Sequence, residues 1–127
     1  MGTFLYYLGL SALCTHELDA VRHAEWRLLH VLRDLPDELA YPVFVALHLP
    51  LFYLFFWLSH HPSPRLRDGF RLAVAAFLVV HGLLHWLLSD APAYDFAGAL
   101  SNGLILLAAM SGAGYLALVL RGQRAAT

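Results

Sequence analysis

Two histidines in a long apolar stretch, His81 and His85, stand four residues apart, so a helix carrying them presents both imidazoles on one face. Metal sites use this spacing to draw two ligands from a single helix. A second concentration of reactive side chains is Thr15-His16-Glu17-Leu18-Asp19-Ala20, where four ionisable or hydroxyl groups fall within five residues. His16, Asp19 and His23 are at i, i+3 and i+7 and share a face if one helix runs unbroken through them. Glu17 points about a quarter-turn away and is the poorer candidate. His48 lies two residues before Pro50, which cannot donate to the carbonyl of Ala46 and so predicts a kink or a loosened turn.

Neutral imidazoles and a carboxylate suit a divalent transition metal, zinc above all. The expected ligands are His16, His81 and His85, with Asp19 as the fourth ligand or as an acceptor behind one of them. Three protein ligands plus water leave a reactive position; water there loses its proton near neutrality, which opens hydrolysis of a lipid-like amide or ester. His48 is expected as the acid/base group of such a reaction, as an alternative ligand, or as a hydrogen bond between helices.

The elements that must position these residues follow from composition. The 127 residues are 60% apolar and only 13% charged, about half the charge of an ordinary soluble domain, so the chain reads as an integral membrane protein. Net charge is −1, with nine acids against eight arginines and no lysine, which excludes a basic nucleic-acid footprint. Cys14 alone permits no internal disulfide. The apolar run Phe4 to Cys14 has no positive side chain before it and reads as retained rather than as a cleaved signal.

Apolar runs predict an all-α fold, a transmembrane four-helix bundle forming one domain over 1–127, with spans near 3–20, 39–59, 70–88 and 96–120. Phe4 to Cys14 rises only about 16 Å along a helix against a hydrocarbon core of roughly 30 Å. A first span therefore carries His16, Glu17 and Asp19 to the edge of the hydrocarbon or into it, where a charge costs about 2.5 to 3.5 kcal/mol. Val21 to Leu35 mixes arginines, acids and leucines with Trp26 and predicts an amphipathic helix lying in the interface or projecting from the membrane. His60 to Gly69 reads as a polar, proline-punctuated loop.

Arginines on the side of the termini and second loop outnumber those on the other side by five to three, which favours both termini in the cytoplasm of a bacterial inner membrane. On any orientation, His16, His48, His81, His85 and Asn102 fall between about 5 and 14 Å below one membrane surface. The opposite half is expected to hold almost nothing polar. Two other readings stay open. One is an electron carrier with b-type haem between His48 and His81 or His85. The other is a non-enzymatic partner subunit or a conductor of metal ions or protons. The small-residue pairs Ala97/Ser101 and Ala108/Gly112 allow close helix approach, within the chain or in a homodimer.

The Thr15–Ala20 motif, followed by Glu25-Trp26-Arg27-Leu28-Leu29, resembles a family of small bacterial four-span membrane proteins of unknown function, which implies an integral membrane bundle and no particular activity. The His81/His85 pair is also similar to the late-helix pair in membrane zinc hydrolases of the alkaline ceramidase and adiponectin receptor type. Those proteins have seven spans, so that likeness is one of chemistry alone.

Overall fold

The computed structural model describes residues 1–124; the last three residues of the domain expected over 1–127 lie outside the described residues. Four helices pack together: α1 (Gly2–Arg22), α2 (Asp37–Ser59), α3 (Pro64–Leu88) and α4 (Ala99–Arg124). There is no strand among the described residues. α2, α3 and α4 are long and apolar enough to cross a membrane. α1 is of similar length, but its last two turns carry His16, Glu17 and Asp19. The outer surface is greasy: Leu49 is 78% exposed, Trp86 71% and Leu106 59%, as lipid-facing helices require.

Three boundaries differ from those the sequence predicts. α3 begins six residues earlier, at Pro64, because a proline at the first helical position has its φ already set and loses no hydrogen bond. α4 begins at Ala99 rather than Phe96, and Phe96 is instead folded inward and fully buried. The largest change is at 21–35. No amphipathic helix forms there: α1 stops at Arg22, Ala24 adopts a left-handed conformation at φ 52°, and a single 3₁₀ turn, Glu25–Arg27, turns the chain back toward the bundle. A non-glycine residue in that region costs on the order of 1 kcal/mol or more, so the surrounding contacts must enforce it.

α1, α3 and α4 form the tight part of the bundle, and small residues make it tight. A Cβ on Gly112 would stand 2.6 Å from the backbone oxygen of Ala75 and 2.9 Å from Cβ of Leu78, so α4 lies directly against the α3 backbone. Gly9 plays the same part for α1, where an added Cβ would meet Leu78 and Ser111. Ala108 and Gly112, one of the small pairs, are thus used inside the chain.

α2 stands further out. It is fastened at its two ends: Phe44 and Ala40 pack with Trp26 at one, and Ser59 meets Tyr6 and Arg71 at the other. Arg71 donates from Nε and Nη2 to the carbonyl of Ser59 at 3.1 and 2.7 Å, satisfying an acceptor that a helix C-terminus leaves open. Nη2 also donates to the Tyr7 hydroxyl at 3.1 Å. This half of the bundle was expected to be nearly free of polar groups; it contains this buried tie because α2 cannot close its last turn alone.

Gly112→Ala is expected to destabilise the protein by about 1–3 kcal/mol, the cost of forcing atoms into a filled interface. Gly103→Ala, on the same helix with nothing within 4 Å of the added carbon, should be neutral or stabilising by up to about 1 kcal/mol. Thermal unfolding of the two variants in one detergent checks the contrast.

Candidate metal centre

Four side chains from three elements meet near the end of the bundle where α1 finishes and α2 begins. His16 comes from α1, His81 and His85 from successive turns of α3, and Glu25 from the 3₁₀ turn. One donor atom from each lies within 4.8 Å of every other. His16 Nε2 is 3.5 Å from Glu25 Oε2, while His85 Nε2 and His81 Nε2 are 3.7 and 4.0 Å from Oε1. The three rings stand edge to face, with centroids 4.6 to 5.0 Å apart. Ligands bound tetrahedrally at about 2.0–2.1 Å are separated by roughly 3.3–3.4 Å, so donors spread over as much as 4.8 Å would have to draw in by up to about 1.4 Å to share one ion.

Burial makes the grouping costly unless something joins it. His16 is 0% exposed, His85 5% and His81 8%. Both ring nitrogens of His16, Nδ1 of His81 and Oε2 of Glu25 are buried without a hydrogen-bond partner. Orphaned polar atoms in a protein interior typically cost about 1–3 kcal/mol each, and most native ones are satisfied. Four such atoms in one cluster, two of them the opposite nitrogens of the His16 ring, mark a place where a bound cation would satisfy part of the set.

His85 and Glu25 are held from behind. His85 Nδ1 lies 3.3 Å from the Tyr94 hydroxyl; donating there would leave Nε2 as the ligating nitrogen. Phe96, fully buried, packs its ring against His16, His85 and Tyr94 and closes one side. Glu25 is set by its neighbour: Trp26 is buried against Tyr41 and Phe44, and its Nε1–H donates to Asp37 Oδ1 at 2.9 Å. Arg27 also pairs with Asp37. Burial pushes the Glu25 carboxyl up, but the facing His16 and His85 rings outweigh it and hold it at about 2, so it is ionised throughout the neutral range. The same charge, with burial, raises Tyr94.

Of the residues singled out from sequence, His16, His81 and His85 come together. Asp19 lies outside the group: its Oδ1 faces His23 Nε2 at 3.4 Å, and His23 Nδ1 faces Asp95 Oδ2 at 3.1 Å. The carboxylate among the imidazoles is Glu25. Sequence periodicity could not find it, because nine residues of continuous helix from His16 place Glu25 on the opposite face. The left-handed Ala24 reverses that, and alanine carries no signal for such a turn. Asn102, at the expected depth, faces outward and donates to its own helix at Gly98.

His48 is not in the cluster but beside it. Its Nδ1–H donates to the carbonyl of Phe44 at 2.8 Å, and its Nε2 is 2.8 Å from Glu17 Oε2. With Nδ1 already protonated, the second contact holds a further proton shared between imidazole and carboxyl. Glu17, set aside for its helical phase, points where that phase sends it, across to α2.

One comparison with known proteins bears on the whole chain. A family model matches residues 2–122. The chain belongs to a family of unknown function (DUF6713). No curated protein and no solved structure matches it. Membership agrees with the likeness to uncharacterised small proteins and supplies no activity, so function rests on the geometry above.

Glu25→Ala should weaken zinc binding at least about tenfold, the usual lower bound for removing a group that holds a metal. Asp19→Asn should leave the zinc stoichiometry unchanged. Competitive titration of each purified variant against a zinc chelator checks both.

Proposed function

We propose that this is an integral membrane metalloprotein of the bacterial inner membrane, holding one divalent transition metal, zinc, between His16, His81, His85 and Glu25. The observation that carries the reading is the convergence of four donors from three elements within 4.8 Å, with both nitrogens of fully buried His16 unpartnered. Imidazole and carboxylate donors without thiolate suit zinc among the common ions. Among His16, His81 and His85, ring centroids 4.6 to 5.0 Å apart favour a bare ion over a porphyrin, which needs its own thickness between axial ligands; a haem between His48 and His81 or His85 is the alternative that the absorption spectrum decides. With both termini cytoplasmic, the site lies toward the periplasmic face.

The reaction class this arrangement supports best is hydrolysis of a carboxylic ester or amide. Held by His16, His81 and His85, with Glu25 giving way to water, zinc would have an open position at which it would polarise a carbonyl and lower the pKa of that water. Glu25 supplies negative charge that keeps the site near neutrality. The Glu17–His48 pair lines the same cavity as His81 and His85, with a shared proton at Nε2 and Oε2 for a leaving group. The chemical analogy to membrane zinc hydrolases rests on His81 and His85 alone.

Elemental analysis of detergent-purified protein should find about one zinc per chain, and the His81→Ala/His85→Ala double variant should have lost nearly all of it. A sharp Soret band with no stoichiometric zinc would favour haem instead. Because Glu25 is already ionised, protons compete with zinc only at the imidazoles. Retention should therefore be full above neutrality and be lost on acidification, because an imidazole must be deprotonated to ligate.

A further inference from the structure

Between α2 and the tight part of the bundle lies a cavity of about 290 Å³. It exists because α2 is fastened at both ends and stands away from its neighbours between them. At its inner end are His81, His85, Glu25 and the Glu17–His48 pair. The rest of the wall is leucine and phenylalanine, and its lining is overwhelmingly apolar. Leu47, Leu51, Leu84 and Leu88 line it and are each more than a third exposed, so they form a mouth on the outer surface. That mouth opens between α2 and α3, two helices long and apolar enough to cross a membrane. It therefore faces the hydrocarbon, not water.

We propose that this cavity is a lateral binding site for a single acyl chain, with the acyl carbonyl or carboxylate held at the end lined by Glu25, His81 and His85. The substrate class is a single-chain fatty acyl compound; this rests on the metal reading for the head group and on the cavity alone for the chain. Three features select that occupant. The volume takes about ten methylene-sized groups at roughly 30 Å³ each, with the remainder of a longer chain lying among the lipids at the mouth. A helix of a second copy, about 10–12 Å across, does not enter such a space. The division into one polar end and an otherwise leucine-lined tube matches an oxygen-bearing head on a hydrocarbon tail, and the surrounding bilayer supplies that chemistry at high concentration.

The test is photolabelling of the full chain in nanodiscs with palmitic acid bearing a mid-chain diazirine, and with its glycerol monoester, followed by mapping of the adducts. Adducts concentrated on cavity residues such as Leu47, Leu51 and Leu84 are expected, with unlabelled palmitate competing. Leu84→Trp and Leu51→Trp, which plug the mouth, should each cut this labelling at least about tenfold, equivalent to about 1.4 kcal/mol of binding, while retaining zinc. Labelling by both probes assigns recognition to the acyl carbonyl, and labelling by the acid alone assigns it to a free carboxylate. Adducts spread over the outer faces at Trp86 and Leu106, or cavity labelling unchanged in both plugged variants that fold, would overturn the proposal. So would displacement of the label by cholesterol rather than palmitate. Protein without zinc that still labels in the cavity would sink the metal reading while leaving the acyl site standing.

Discussion

The structure depends on one constraint: three imidazoles and a carboxylate are taken out of water in a bundle with almost nothing else to satisfy them. Desolvating such groups singly costs several kcal/mol, and a fold that accepts the cost in one place must recover it there. The recovery is mutual. The facing His16 and His85 rings offset the burial that would otherwise favour a neutral Glu25, and the carboxylate gives the buried rings a polar neighbour. The proposed zinc ion would complete the arrangement by drawing the four donors together.

Most of what surrounds the cluster can be understood as holding it. The glycine and alanine contacts that press α4 against α1 and α3 bring His16 to His81 and His85. Trp26 and Asp37 hold the 3₁₀ turn so that Glu25 points inward. The same contacts fasten the start of α2, and Arg71 fastens its end. Between those ties α2 is free to stand off, and that stand-off is the cavity. The buried histidine cluster and the apolar chamber thus share one architectural cause.

The helices were legible in the sequence because length and hydropathy decide a membrane span almost alone. His81 and His85 were legible because i,i+4 spacing needs only a helix, and His16 because all three share a depth. Glu25 was not, since its place depends on a left-handed alanine and on Trp26 finding Asp37 eleven residues away. Asp19 drew attention by sharing a face with His16, yet α1 ends three residues on and His23 turns to meet it. Glu17 was discounted for pointing aside; the phase was right, and the residue it points to, His48, lies on a helix whose placement no local pattern reports.

X-ray absorption at the zinc edge of the purified protein tests the central claim most directly. Four nitrogen and oxygen scatterers at about 2.0–2.1 Å, with the outer-shell pattern of three imidazoles, are predicted. A sulfur scatterer near 2.3 Å, or oxygen-only coordination without imidazole, would contradict the account, because Cys14 and the solvent-facing acids would then hold the ion and the buried cluster would not.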